Sequence, residues 1–128
     1  LEGLERSGDT SGCTVFFFDI DRFKLINDRY GHEVGDTVLK QIAIRARTVL
    51  RPEDMVARLG GDEFVIVIQG NSSKATLESQ VEKLRRAISN PILHDKTRIG
   101  AAISVGIAGY TDDSDCFSDV MRQADIAL

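Results

Sequence analysis

Gly60-Gly61 stands between Met55–Leu59 and Phe64–Ile68, two short runs dominated by apolar and β-branched residues. A glycine pair in that setting signals a hairpin turn, because glycine takes φ > 0 without a Cβ clash. The next two residues, Asp62 and Glu63, put adjacent carboxylates on the turn itself. Their like charges repel unless a cation or a proton lies between them. Aspartate is common in turns, so a solvated turn is the plain alternative. A second acidic stretch tips the balance toward a metal. Cys13–Phe18 is an almost unbroken apolar run, read as a buried strand, and it ends in Asp19-Ile20-Asp21. Carboxylates at the end of a central strand and carboxylates on a hairpin turn can converge on one hard cation with oxygen ligands.

Composition bounds the function classes. The 128 residues, 42% hydrophobic and 28% charged, suit one soluble domain around one core, spanning 1–128, with no room for a second. No stretch approaches the apolar length of a membrane span, and no signal pattern opens the chain, so no direct membrane contact is expected of this domain. The absence of an initiator Met suggests a fragment, and the expected compartment is the cytoplasm even if a parent protein is membrane-tethered. Cys13 and Cys116 form neither a metal-like nor a disulfide-framework spacing, which suits a reduced protein. A net charge of −4 without a basic run argues against nucleic acid as partner. An acidic protein that takes a nucleotide needs a divalent cation to offset phosphate repulsion.

In chain order, a strand over Cys13–Ile20 leads into a short helix over Arg22–Asn27, and an amide-rich strand-to-helix junction is a natural phosphate cradle. Tyr30–Asp36, with two glycines, is predicted to be a loop closed by Asp36 or Thr37 as the next helix's N-cap. Val38, Leu39, Ile42, Ala43, Ala46, Val49 and Leu50 then follow helical periodicity, and Pro52 stops the helix. After the hairpin, Leu77, Val81, Leu84 and Ile88 define a second amphipathic helix ending before Pro91. Ile99–Tyr110 is predicted to be one central strand, and Phe117–Leu128 a final helix. The order β, α, β, β, α, β is that of an α+β, ferredoxin-like two-layer sandwich, a mainly antiparallel sheet with helices packed on it.

Three runs carry a resemblance: Phe18-Asp19-Ile20-Asp21-Arg22-Phe23-Lys24-Leu25-Ile26-Asn27-Asp28, Tyr30-Gly31-His32-Glu33-Val34-Gly35-Asp36 and Arg58-Leu59-Gly60-Gly61-Asp62-Glu63-Phe64. In this order and spacing they resemble the GGDEF domain of bacterial diguanylate cyclases, over about Val15 to Leu128. The resemblance implies a nucleotide-cyclase-like fold that condenses two GTP into cyclic di-GMP and two pyrophosphates, with product feedback inhibition. It implies Mg²⁺, or Mn²⁺ in its place, on Asp19, the backbone carbonyl of Ile20 and Asp62. Glu63 is then the group that orients or deprotonates the ribose 3′-hydroxyl, beside Asp62 in the catalytic pair. Asn27 and Asp36 match the positions that read guanine, and Phe23, Lys24, Gly60 and Gly61 complete the substrate site. Asp21 has two readings, a metal ligand or, preferred, a cap of the following helix.

Arg51-Pro52-Glu53-Asp54 resembles the family's product-binding inhibitory Arg-x-x-Asp site, against the plainer reading of a helix-end pair. One domain holds one GTP, so a homodimer is implied for catalysis. The chain lacks the family's Asp-x-Leu-Thr-Gly-Leu-x-Asn-Arg segment and the Lys- and Arg-bearing segment that follows Ala124-Asp125-Ile126-Ala127, which suggests truncation at both ends and weakened turnover. The rival from another class is a GTP or cyclic di-GMP receptor module regulating a fused phosphodiesterase or other output domain.

Overall fold

The computed structural model describes residues 12–70 and 73–110 together with Ser118 and Arg122. Strand β1 (Cys13–Ile20) is followed by helices α1 (Phe23–Tyr30) and α2 (His32–Thr48). The hairpin β2 (Met55–Gly60) and β3 (Glu63–Gln69) comes next, then α3 (Lys74–Ser89), a small hairpin β4 (Ile92–His94) and β5 (Thr97–Ile99), and β6 (Ile103–Tyr110).

The main sheet has the order β2-β3-β1-β6, every neighbouring pair antiparallel. That order is the ferredoxin-like one expected, with β1 and β3 in the middle and β2 at an edge. Alternation along β1 sends Phe16, Phe18 and Ile20 into the larger core, with Ile66 and Ile68 of β3, Val38, Ile42 and Ala46 of α2, and Leu84 and Ile88 of α3. Each such fully buried large side chain contributes roughly 1.5–3 kcal/mol. Phe18 and Phe64 stack across the β1–β3 pair with ring centroids 5.1 Å apart, which anchors the hairpin at the level of its turn. Val15, Val65 and Val67 form a smaller cluster on the opposite face, with Phe17, Ala57 and Leu59 against it. Helix α3 starts where Ser73 accepts a hydrogen bond from the Thr76 amide, 3.2 Å, a normal serine cap.

Four expectations are corrected. Tyr30–Asp36 is not a loop: α2 begins at His32, and Gly31 alone separates the two helices. With φ 95°, Gly31 ends α1 by donating to the Asn27 carbonyl at 2.8 Å and opens α2 by accepting from the Gly35 amide at 3.1 Å, so one residue does the work a loop was expected to do. Asp21 is not the cap of α1, whose N-cap position is Arg22 without any side-chain cap bond. The segment before Tyr110 is not one strand, because Thr97–Ile99 pairs with Ile92–His94 in a separate hairpin and the sheet strand begins at Ile103. Cys13 is disulfide-bonded rather than a free thiol; spacing along the chain does not report separation in space. Cys116 lies outside the described residues, as do the predicted N-terminal loop and, apart from helical Ser118 and Arg122, the predicted final helix. Among the described residues no helix is long and apolar enough to cross a membrane.

Candidate functional site

The acidic residues meet because of strand register. Asp19 lies directly across from Glu63 in the β1–β3 pair, and the Ile20 amide donates to the Asp62 carbonyl at 3.2 Å. The β2–β3 register slips between Arg58 and Gly60, a bulge that lets the turn reach over the end of β1. Gly61 holds φ 53°, a left-handed conformation that a Cβ would penalise, and Arg58 Nε donates to the Gly61 carbonyl at 2.8 Å. Asp19 and Glu63 are exposed and Asp62 is half-buried. Among the described residues, no side-chain hydrogen bond or ion pair engages any of the three. Opposed carboxylates on neighbouring strands destabilise a sheet, so the arrangement favours a cation. The donors are all oxygens, as Mg²⁺ prefers. No three His, Cys, Asp or Glu side chains among the described residues are grouped to hold a metal ion, so a cation at Asp19, Asp62 and the Ile20 carbonyl would need further oxygen ligands from outside the protein. A cleft of about 340 Å³ opens beside Asp19 and Glu63, lined also by Phe17, Leu59, Ser104 and Gly106.

The turn from β1 into α1 leaves backbone donors uncapped. Arg22 takes φ 56°, and α1 carries neither a side-chain cap nor an acid in its first turn. The amides of its first turn are therefore open toward a negative group, with Lys24 exposed beside them. On the face of α1 that Phe23 and Asn27 share toward Gly35, the Asn27 Oδ1 atom is buried without a hydrogen-bond partner. A buried, unsatisfied amide oxygen costs about 1–3 kcal/mol. Asn27 can occupy this place only because Gly35 has no side chain: a Cβ there would meet Asn27 Oδ1 at 1.8 Å and Phe23 Cζ at 3.3 Å. Asp36, the next residue, is exposed.

Arg51 and Asp54 form a different kind of group. Asp54's side chain is 0% exposed against 52% for Arg51. Its carboxylate accepts from the Arg51 amide at 3.1 Å, from Arg51 Nε at 3.3 Å and from Arg51 Nη2 at 3.3 Å. Arg47 adds bonds to the Asp54 carbonyl at 2.6 Å and to the Arg51 carbonyl. Sequence reasoning did not single out Gly35, Arg47 or Ser104; of these, only the Gly35-Asp36 pair at the start of a periodic helix was a visible signal.

Residues 2–128 match the family model described as diguanylate cyclase, GGDEF domain. The chain belongs to the GGDEF family. This GGDEF domain is 42% identical over 115 residues to the diguanylate cyclase TpbB of Pseudomonas aeruginosa, covering 89% of the chain and 26% of TpbB. The crystal structure of the TpbB GGDEF domain superposes with a TM-score of 0.77 at 38% identity, covering 94% of this chain and 78% of that one. The bifunctional diguanylate cyclase/cyclic di-GMP phosphodiesterase MucR of P. aeruginosa is 40% identical over 94% of the chain and 17% of its own length. The GGDEF domain of DgcB from Caulobacter crescentus, solved in complex with c-di-GMP, gives a TM-score of 0.72 at 27% identity, over 91% of this chain and 70% of that one. The GGDEF domain thus spans about a third or less of the curated relatives it matches.

Proposed function

We propose that this GGDEF domain is the catalytic domain of a diguanylate cyclase, joining two GTP molecules into cyclic di-GMP with release of two pyrophosphates. The observation that carries the reading is the unpartnered set Asp19, Asp62 and Glu63, brought to one end of the β1–β3 pair by register. Asp19, Asp62 and the Ile20 carbonyl would hold Mg²⁺, or Mn²⁺ in its place. A divalent cation there supplies charge neutralisation at the phosphates and acidifies a neighbouring hydroxyl.

The chain's own groups do the remaining work. The first-turn amides of α1 at Phe23 and Lys24, with the Lys24 ammonium, bind the terminal phosphates. Gly60 and Gly61 keep side chains out of the path of the α-phosphate. Asn27 Oδ1 and the Asp36 carboxylate accept from the donor edge of guanine, which has an N1–H and an N2 amino group. Glu63 orients the 3′-hydroxyl and takes its proton as the oxygen attacks the α-phosphate of the second GTP. Positioning supplies most of the rate in such transfers. One domain binds one GTP, so two copies must face each other for both ester bonds to form.

Feedback inhibition by cyclic di-GMP is assigned to the Arg51–Asp54 corner, with the roles divided by burial. Half-exposed Arg51 offers its guanidinium to the product's guanine or phosphate, and buried Asp54 holds that guanidinium in place. Incubating the full-length protein with GTP and Mg²⁺ and resolving the nucleotides by chromatography tests the assignment: cyclic di-GMP and pyrophosphate are expected. Binding of GTP or cyclic di-GMP without turnover would instead favour the receptor reading, in which the domain regulates a fused output domain.

A further inference from the structure

We propose that Ser104 is a positioning residue for the nucleotide site: its hydroxyl pins Asp21 and thereby fixes the turn joining the metal-binding end of β1 to the phosphate-binding start of α1. The inference rests on the cyclase reading for what the turn positions, not for the existence of the pin. Ser104 lies directly across from Asp19 in the β1–β6 pair and lines the cleft that Asp19 and Glu63 share. Its hydroxyl reaches diagonally, donating to Asp21 Oδ1 at 2.6 Å, at the short end of the O–H···O range.

Side chain and backbone are both held at Asp21. Asp21 is two residues beyond Asp19; held by Ser104, its carboxylate is turned toward β6. The backbone is held at the same point, because the Asp21 amide donates to the Ala102 carbonyl at 2.8 Å. The next residue, Arg22, must then take the left-handed φ 56°, unfavourable for a side chain with a Cβ, and its carbonyl accepts the first α1 bond from Ile26 at 3.2 Å. A conformation of that kind persists only when its surroundings over-determine it. The two bonds at Asp21, one from its side chain and one from its backbone, supply that constraint. Ser104 acts through Asp21 and touches no reacting atom.

The test compares the full-length protein with its Ser104→Ala and Ser104→Thr variants, the second retaining the hydroxyl. Hydrogen exchange at the Asp21 and Ile26 amides should be several-fold faster in Ser104→Ala and restored in Ser104→Thr. In the same proteins, the half-saturating concentration of Mg²⁺·GTP should rise roughly tenfold in Ser104→Ala, as for loss of a hydrogen bond to a charged group, with kcat within about twofold of wild type. A merely structural serine would lower thermal stability without this split. Equal exchange in all three proteins overturns the pin, and altered exchange with unchanged half-saturation overturns the positioning role. A wild-type protein that binds no GTP would sink the cyclase reading and with it the positioning role, while the exchange data still decide whether the pin exists.

Discussion

The β2–β3 turn and the Arg51–Asp54 corner flank the same strand, yet they treat their charges in opposite ways. At the turn, Asp19, Asp62 and Glu63 are brought close by register, and among the described residues their side chains are unpartnered. At the corner, every carboxylate bond is internal: Asp54 is fully buried and accepts three bonds from Arg51. Electrostatic potential left unsatisfied by the fold is available to a ligand, whereas potential already matched inside the fold contributes to stability. The two acids Asp62 and Asp54, similar as sequence, are therefore expected to fail in different assays when removed.

Replacing Asp62 with alanine should have the largest effect, lowering cyclic di-GMP formation in the full-length protein by roughly 10²–10³-fold, the range seen when a charge-stabilising group is deleted. The melting temperature should stay near wild type, since Asp62 carries little packing. Substantial turnover in Asp62→Ala would erase the contrast between the two regions.

Asp54→Ala is the converse. It strands the Arg51 amide and guanidinium and should cost about 1–3 kcal/mol, seen as a lowered denaturation midpoint, while chemistry at the turn continues. A stable Asp54→Ala protein would mean that the corner is no structural pair.

Gly35→Ala probes the unsatisfied potential at Asn27. The added Cβ would meet Asn27 Oδ1 at 1.8 Å, so Asn27 must leave its place, and discrimination of GTP over ATP in competition binding should fall by roughly tenfold. Unchanged discrimination would remove Asn27 from guanine recognition.

The smallest effect on the initial rate is expected from Arg51→Ala. Arg51 lies at the opposite end of β2 from the turn, so the rate should remain within about twofold, even though loss of the partner of buried Asp54 lowers stability. Binding of cyclic di-GMP in a calorimeter should nevertheless disappear; equal binding by wild type and variant would reduce Arg51 and Asp54 to a helix-end pair.

Much of this was legible in the linear chain, because its cause is local. The apolar run Cys13–Phe18, the 3.6-residue period of Val38–Ala46 and Leu77–Ile88, and the glycine pair at the turn each act over a few residues, and the element order then selects a ferredoxin-like sheet. The acids of the candidate site could be named because two carboxylates follow the glycine pair and a second acidic stretch, Asp19-Ile20-Asp21, ends the first strand. The reading failed at His32–Asp36, where glycine was taken as loop punctuation. Gly35 is in fact helical, its missing side chain making room for Asn27 from the preceding helix. The β4–β5 hairpin escaped because strands of three residues leave almost no periodic signal.

By itself the sequence determined which chemistry was on offer: oxygen donors at a strand end, a turn that only glycine makes easily, and an Arg-x-x-Asp at a helix end. Tertiary structure alone decided which of those groups remain free. Whether a carboxylate is a ligand or a structural partner depends on what lies within about 3 Å of it, and those neighbours are distant in sequence. Ser104 is 83 residues from Asp21. Asp19 meets Glu63 only through the pairing of β1 with β3. Even Asp54, whose partner is three residues away, is fully buried only in the folded chain, and burial is the property that separates it from Asp62.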